Sequence, residues 1–248
     1  PTRYLWSGYR EYFKNPLFRF ITLPLVWYLR KWDQLAAQRP DVIIAISETV
    51  QQRIKRYYKR DSVVIYPPTN LSIKKKEKTV VQSTPYFLVV SRLSKMTAYK
   101  RVDIAIKAAN TLKFPLVIVG TGRDEAYYKE MAGSTVQFVG NVTDEVLSAY
   151  YSRCSALLFP GNEDFGLVMV EAQAHGKPVI AYRKGGAVDI IQEGKTGEFF
   201  DRQTPSSLIS VLKSFDNTRY NKNDCIKNSK RFSFEQFEKQ IRELVNRK

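Results

Sequence analysis

Two glutamates, Glu163 and Glu171, are the residues of this chain whose type and spacing best suit chemistry. They flank an apolar run and follow a strand-like segment, 156–159, that ends in a Pro-Gly pair. A buried strand, a short polar loop and a helix start together place polar groups at the carboxyl edge of a parallel sheet, where ligands bind. The two carboxylates are therefore candidates for a functional site.

The position of the helix start decides whether the two carboxylates converge. Within one continuous helix, Glu163 and Glu171 would lie about 12 Å apart along the axis and about 80° apart around it. If the helix begins near Phe165, Glu163 reaches over its N-terminus and Glu171 points inward from the second turn. The N–H groups of Phe165, Gly166 and Leu167 then face the same space, where they can hold an anion or sugar hydroxyls. Gly166 would also let a ligand approach the backbone closely.

A purely structural interpretation of the same segment is also open. Asp164 would cap the helix, Glu163 would complement the helix dipole, and Glu171 would lie on a solvated face. His175, the single histidine, comes just before Gly176 at the predicted end of this helix. We expect a structural role for it, because a histidine near a helix C-terminus interacts well with the dipole.

The elements that must position these residues form a regular alternation of strands and helices from residue 86 onward. The predicted strands are 86–91, 115–119, 135–139, 155–159, 178–182 and 197–200. The predicted helices between them are 101–112, 123–131, 143–153, 165–175 and 186–192, and three more follow near 205–215, 219–230 and 234–245. This order predicts an α/β fold with a doubly wound parallel sheet that has helices on both faces.

The chain divides into four parts by composition and pattern. A strand–helix–strand pattern, predicted over 41–46, 48–60 and 62–66, reads as the tail of an incomplete α/β unit. A polar, lysine-rich stretch that follows it is typical of a linker. The predicted parts are a truncated first domain at 1–69, a linker at 70–84, a second domain at 85–232 and a closing helix at 233–248.

Three blocks of the sequence form a set of motifs. The most specific is EDFGLVMVEAQAHGKPVI at 163–180. The others are VVSRL at 89–93 with KRVD at 100–103, and LVIVGTG at 116–122 with FVGNV at 138–142. In order and spacing the three blocks resemble the donor-binding half of family 4 of the retaining GT-B glycosyltransferases. The resemblance implies a Rossmann-like donor-binding domain, the tail of a second Rossmann-like domain, and a final helix that crosses back to the first domain.

The resemblance also implies a reaction and a set of roles. A hexose would move from a nucleotide-sugar donor to a lipid-linked or polysaccharide acceptor. The predicted catalytic residues are Arg92 and Lys100, which would bind the diphosphate leaving group, and Glu163, which would contact hydroxyls of the transferred sugar. Glu171 would accept hydrogen bonds from the ribose. The other predicted donor-binding residues are Phe165, Gly166, Leu167 and Val168 through their amides, Gly120 and Gly122 beside the nucleotide, and Asn141 and Val142 near the base.

The opening residues carry a weaker resemblance. The segment PTRYLW at 1–6 is similar to a motif that follows the family's catalytic-domain histidine in mannosyltransferase-type members. The resemblance implies GDP-mannose as the favoured donor and a first domain whose start, with its histidine, is missing. The alternative is a nucleotide-sugar-binding module without turnover.

No cofactor or metal is expected. The cation pair removes the need for a divalent metal in this family, and the chain contains no Asp-x-Asp motif. Cys154 and Cys225 are far apart, and with a single histidine they do not form a zinc-binding pattern. Two isolated cysteines favour a reducing cytoplasm.

An excess of 40 basic over 24 acidic residues gives a net charge of +16 and suggests an anionic partner. The predicted helix 48–60 is basic and aromatic, so it suits anionic lipid headgroups, although nucleic acid or plain solvation would fit the same charge. Because no nucleic-acid-binding motif is present, we expect no nucleic acid partner. The apolar segment 20–29 is too short to cross a bilayer. It is predicted to be a core helix with a membrane-proximal edge, in a cytoplasmic protein peripheral to the inner face of the membrane.

Overall fold

The computed structural model describes residues 2–9, 15–69, 85–94 and 100–246. By its internal contacts the chain divides into two compact units, Pro1–Tyr66 and Pro67–Lys248. The predicted linker at 70–84 lies outside the described residues.

Among its described residues, the first unit has the helices α1 (Pro16–Ala36) and α2 (Glu48–Tyr58) and the short strands β1 (Ile44–Ala45) and β2 (Val63–Val64). The strands pair in parallel. The Ser47 hydroxyl caps α2 by accepting a hydrogen bond from the Val50 N–H at 3.2 Å, which satisfies one donor of the helix start. The predicted strand–helix–strand order is confirmed.

Helix α1 continues through Pro24, although a proline removes one main-chain hydrogen bond. The prediction that segment 20–29 is mainly core is wrong, because Val26 is its one buried residue. Trp27 and Tyr28 are 64% and 61% exposed, and Phe20 is 73% exposed. None of the described helices combines the length and apolarity needed to cross a membrane.

The second unit is built on a six-stranded parallel sheet. Its strands are β3 (Phe87–Val90), β4 (Leu116–Val119), β5 (Val136–Gly140), β6 (Ala156–Phe159), β7 (Val179–Tyr182) and β8 (Gly197–Phe200). Their spatial order is β5-β4-β3-β6-β7-β8. Strands β4 and β5 thus follow β3 toward one edge of the sheet. Strand β6 then pairs with the other side of β3, and β7 and β8 continue toward the opposite edge. This order confirms the predicted doubly wound α/β sheet.

Helices connect and cover the strands. They are α3 (Val102–Leu112), α4 (Glu125–Met131), α5 (Asp144–Arg153), α6 (Leu167–Ala174), α7 (Ala187–Ile190), α8 (Pro205–Ser214), α9 (Lys222–Ser229) and α10 (Phe234–Asn246). Leu116, Ile118 and Leu158 share one core cluster with α3 and α8. Val117 and Leu157, which alternate with them along the strands, are also fully buried. Because successive strand residues point to opposite faces, both faces of the sheet are covered.

The predicted element boundaries agree with the observed ones to within three residues throughout the second unit. The closing helix α10 belongs to that unit by contacts. It has no buried residue, and Phe234 is 59% exposed. Phe232, just before it, is buried against Phe165.

Candidate functional site

The adjacent ends of β3 and β6 mark the point at which the strand order of the sheet reverses. In open α/β sheets such a point leaves a crevice at the carboxyl ends of the strands, and ligands bind there. The segment that follows β3 carries Arg92, and the loop that follows β6 carries Glu163. The topology therefore brings two of the predicted catalytic residues to one crevice.

Lys100, just before α3, forms an ion pair with Glu163 in the loop that follows β6. Their side chains are 21% and 18% exposed, so the pair is only partly screened by water. They are 63 positions apart in sequence. Arg92, by contrast, is exposed, and its side chain has no hydrogen-bond or ion-pair partner within the described part of the chain. The structure thus joins two of the three predicted catalytic residues directly.

The segment that carries Arg92 extends β3 alongside the loop after β4. The Ser91 N–H donates to the Val119 carbonyl and the Leu93 N–H to the Thr121 carbonyl, both at 3.0 Å. Arg92 is therefore anchored on both sides by main-chain hydrogen bonds.

Gly120 and Gly122 make this anchoring sterically feasible. A Cβ atom at Gly120 would lie 2.2 Å from the Ser91 carbonyl oxygen, and one at Gly122 would lie 2.1 Å from that of Leu93. The close approach that requires these glycines is thus to the backbone beside Arg92. That Gly120 and Gly122 also let the chain pass close to the nucleotide stays a prediction.

The loop that carries Glu163 is held by a Gly-Gly pair between β7 and α7. The Gly186 N–H donates to the Glu163 carbonyl at 2.9 Å. A Cβ atom at Gly185 would lie 2.0 Å from that carbonyl oxygen, and one at Gly186 would lie 2.3 Å from the Phe165 carbonyl oxygen. Gly185 and Gly186 are not among the predicted site residues, although two adjacent glycines between a strand and a helix are a signal of a close turn in the sequence.

Helix α6 begins at Leu167, two residues later than predicted, because Gly166 adopts a left-handed conformation with φ +98°. The expectation that Phe165 and Gly166 supply the first N–H groups of the helix is therefore wrong. Phe165 is 4% exposed and packs edge-on against Phe232. The alternative in which Asp164 caps the helix is also wrong, since Gly166 occupies the cap position. The N–H groups of Leu167 and Val168, in the first turn of α6, have no acceptor within the helix.

Glu171 lies half-buried in α6, and its Oε2 accepts a hydrogen bond from the Tyr151 hydroxyl at 2.7 Å. Burial raises the pKa of Glu171 above its ordinary value; the hydrogen bond from Tyr151 lowers the pKa, and the charge of Asp144 raises it. The interpretation of Glu171 as a solvated face residue is therefore wrong. A half-buried carboxylate held by a tyrosine is suited to recognition of hydroxyl groups.

His175 ends α6, as predicted. The Gly176 N–H donates to the Gln173 carbonyl and the Lys177 N–H to the Ala172 carbonyl, which together form a Schellman motif. The His175 ring contacts the Glu171 carbonyl oxygen through Nδ1 at 2.8 Å. Burial lowers the pKa of His175, so the ring acts through hydrogen bonds rather than through a charge that favours the helix dipole.

Asn141 and Val142 follow β5, which is two strands away from β3 in the sheet. At the usual strand spacing this places them about 10 Å from the crevice. Asn141 is exposed and Val142 is half-buried. Among the residues that the structure describes, no three His, Cys, Asp or Glu side chains cluster so as to hold a metal ion.

Comparison with known proteins gives a consistent result. The family model "Glycosyl transferases group 1" matches residues 72–232, a range that contains every predicted site residue. An uncharacterized glycosyltransferase of Methanocaldococcus jannaschii is 26% identical over 212 residues, which cover 82% of this chain and 58% of the relative. A GDP-mannose-dependent alpha-mannosyltransferase of Corynebacterium glutamicum is 32% identical over 114 residues, which cover 46% of this chain and 27% of the relative.

A similar solved structure is that of Anabaena HepE in complex with UDP and glucose. It superimposes with a TM-score of 0.72 at 22% identity and covers 86% of this chain and 64% of that protein. At this identity the likeness shows the shared fold, in agreement with the predicted GT-B class. The chain spans less than two thirds of the length of each of these proteins.

Proposed function

The chain belongs to the glycosyl transferases group 1, and we propose that it binds a nucleotide-sugar donor in the crevice between β3 and β6, as part of a retaining family 4 hexosyltransferase. The observation that carries this proposal is the contact between Lys100 and Glu163. An ammonium and a carboxylate side by side offer the two contacts that a sugar diphosphate requires, one for phosphate oxygens and one for sugar hydroxyls.

In this proposal the cations stabilise the leaving group. Negative charge grows on the diphosphate as the glycosidic bond breaks, and the cationic side chains of Arg92 and Lys100 stabilise this charge once the donor is bound. Lys100 turns from Glu163 to the phosphate, and Glu163 becomes an acceptor for hydroxyls of the transferred sugar. The departing phosphate helps to deprotonate the acceptor hydroxyl in a front-face displacement.

The rest of the donor is held by the elements around the crevice. Glu171 accepts hydrogen bonds from the ribose hydroxyls, and the N–H groups of the α6 start, at Leu167 and Val168, bind anionic or hydroxyl oxygens. Asn141 and Val142 lie toward the base. No step needs a divalent metal, so we expect turnover to persist in excess EDTA.

A charge-removal experiment tests the donor site. Lys100→Met should weaken GDP binding about 10- to 100-fold, since it removes a charge-assisted hydrogen bond to phosphate. Lys107→Met is the matched control, because Lys107 is exposed on the neighbouring helix α3. Isothermal titration calorimetry reads both variants. Equal affinity of the Lys100 variant and the wild type would remove the basis of the proposal.

We propose GDP-mannose as the donor. The sequence of the opening residues 1–6 resembles mannosyltransferase-type members, and one relative is a GDP-mannose-dependent alpha-mannosyltransferase. The UDP and glucose bound to Anabaena HepE support a UDP-sugar as the alternative. Titration with GDP, UDP and ADP, followed by the corresponding sugar nucleotides, separates base recognition from sugar recognition.

We propose a lipid-linked or polysaccharide acceptor and contact between the first unit and the inner face of the membrane. Exposed apolar side chains of α1, such as Trp27 and Tyr28, stand on the same helix as Arg30 and Lys31. This combination suits an interfacial helix on anionic lipid. Co-sedimentation with phosphatidylglycerol vesicles, but not with phosphatidylcholine vesicles, is expected. A W27A/Y28A double variant should lose it, whereas Val188→Ala, an exposed apolar control in the second unit, should not.

The second candidate function is nucleotide-sugar binding without turnover. This function is favoured if the protein binds GDP or UDP but neither hydrolyses a sugar nucleotide nor transfers its sugar to an acceptor. The result must also hold for a protein as long as the relatives. Release of mannose from GDP-mannose, abolished by Glu163→Gln, excludes it.

A further inference from the structure

A buried tyrosine of the neighbouring helix supports Glu171. Tyr151 lies in α5, is 2% exposed, and donates its hydroxyl hydrogen to Oε2 of Glu171 at 2.7 Å. Within the described residues, this is the single hydrogen bond of that carboxylate. Oε1 therefore remains as an acceptor, and the fixed phenol sets the direction in which it points.

Tyr151 is itself held in place by His175. The two rings stack with centroids 5.2 Å apart and an interplanar angle of 28°. The His175 Nδ1 lies 2.8 Å from the Glu171 carbonyl oxygen, and its Nε2 lies 2.8 Å from the Ser148 hydroxyl. Because a carbonyl oxygen can only accept, Nδ1 carries the proton and Nε2 accepts from Ser148. Both ring nitrogens thus form hydrogen bonds, and the ring provides a fixed surface against which Tyr151 stacks.

We propose that Tyr151 is a positioning residue for donor binding, which holds the Glu171 carboxylate ionised and aimed at the ribose hydroxyls of a nucleotide sugar. This inference rests on the role proposed above for Glu171. Tyr151 is too buried to meet the donor itself and acts through Glu171. Neither residue type nor spacing in the sequence distinguishes it from its neighbour Tyr150.

The electrostatics of the cluster point in the same direction. Burial raises the pKa of Glu171, and the Tyr151 hydrogen bond opposes that rise, while Asp144 of α5 adds to it. Helices α7 and α9 also pack against α6 and carry Asp189 and Lys222. Without the phenol, Glu171 would take up a proton at a higher pH. A protonated carboxyl group is a poorer acceptor for a diol.

The experiment compares Tyr151→Phe with Tyr150→Phe. Tyr150 is on the same helix and 8% exposed, and the Glu171 carboxylate receives no hydrogen bond from it. Calorimetric titration with GDP, and with UDP in parallel, should show about tenfold weaker binding to Y151F and wild-type binding to Y150F. The pH below which binding is lost should move upward in Y151F alone. Equal behaviour of the two variants would overturn the inference.

A double-mutant cycle separates this inference from the proposed function. If Tyr151 acts through Glu171, Y151F has no further effect on binding in an E171A background, where no side-chain oxygen is left to accept from the phenol. Additive losses would show an independent role and overturn the inference. If E171A leaves binding unchanged, the proposed role of Glu171 is wrong as well. That result is distinct from one in which E171A weakens binding and Y151F does not.

Carbon-13 NMR of the Glu171 carboxyl group, assigned by its loss in E171Q, gives a readout that needs no nucleotide. Its titration should move to higher pH in Y151F and stay in place in Y150F. An unchanged titration in Y151F would contradict the coupling between the two side chains even if nucleotide binding fails altogether.

Discussion

At the scale of single residues, Glu171 is held at a cost to folding. Its pKa is raised, chiefly by burial, so the ionised form is less stable in the folded protein than in the unfolded chain. A carboxyl group with a raised pKa contributes stability at low pH, and that contribution is lost as the pH rises through the raised value. At neutral pH the ionised side chain therefore lowers the free energy of unfolding.

We predict that Glu171→Gln raises the thermal stability of the protein at neutral pH while it weakens donor binding about tenfold or more. The amide keeps an oxygen to accept the Tyr151 hydrogen bond but carries no charge to desolvate. The gain in Tm should shrink as the pH falls below the pKa of Glu171. Melting curves over a pH series measure this. A lower Tm for E171Q at neutral pH would contradict it.

The roles of single residues were predictable in part. The resemblance named Lys100 and Glu163, and the structure joins them. It also named Glu171 but gave no sign of Tyr151, because their contact depends on how closely α5 approaches α6. The side-chain network of Ser148, His175 and Tyr151 links residues up to 27 positions apart. Such tertiary contacts leave no local pattern in one sequence.

At the scale of elements, the loop between β7 and α7 packs against the loop that carries Glu163 and supports it. Gly185 has φ +69°, and a Cβ atom there would lie 2.0 Å from the Glu163 carbonyl oxygen. Gly194 has nearly the same backbone conformation, φ +72°, but open space around it. A comparison of the two glycines therefore separates the cost of the left-handed backbone conformation from the cost of a steric clash.

We predict that Gly185→Ala and Gly194→Ala share a loss of about 1–2 kcal/mol from the left-handed conformation. Gly185→Ala should lose more stability and should also weaken GDP binding, because the new methyl group displaces Glu163. Gly194→Ala should bind GDP as the wild type does. Chemical denaturation measures the loss of stability, and calorimetry measures the GDP affinity. Wild-type GDP affinity in the Gly185 variant would show that the loop between β7 and α7 does not position the donor site.

The alternation of elements was predictable because strands and helices differ in apolar periodicity. The start of α6 was not, because the left-handed conformation of Gly166 depends on its surroundings. The exposure of α1 was mispredicted for a related reason. Apolar periodicity reports that a face is apolar, and it does not report what covers that face.

At the scale of the whole molecule, the proposed donor site lies within one of the two compact units. The unit Pro67–Lys248 contains the six-stranded sheet and all the predicted donor-binding residues. Thr69, near its beginning, donates its N–H to the Phe232 carbonyl at 2.9 Å. The unit therefore has a core and a hydrogen-bonded starting segment of its own.

We predict that residues 67–248 alone fold cooperatively and bind GDP with the affinity of the whole chain. Because every residue named for the proposed donor site lies within 67–248, removal of the first unit should leave donor binding intact and abolish the proposed attachment to anionic vesicles. Circular dichroism melting, calorimetry and vesicle co-sedimentation measure the three properties. Loss of GDP binding by a folded fragment would mean that the first unit contributes to the donor site.

The ion pair between Lys100 and Glu163 has a consequence for directed evolution of this protein. Each side chain balances the charge of the other, and both are largely withdrawn from water. A library that varies Glu163 alone also removes this counter-charge from a half-buried ammonium group, at a cost unrelated to the fit of any sugar. Altered sugar preference should therefore emerge most readily from libraries in which positions 100 and 163 are randomised together.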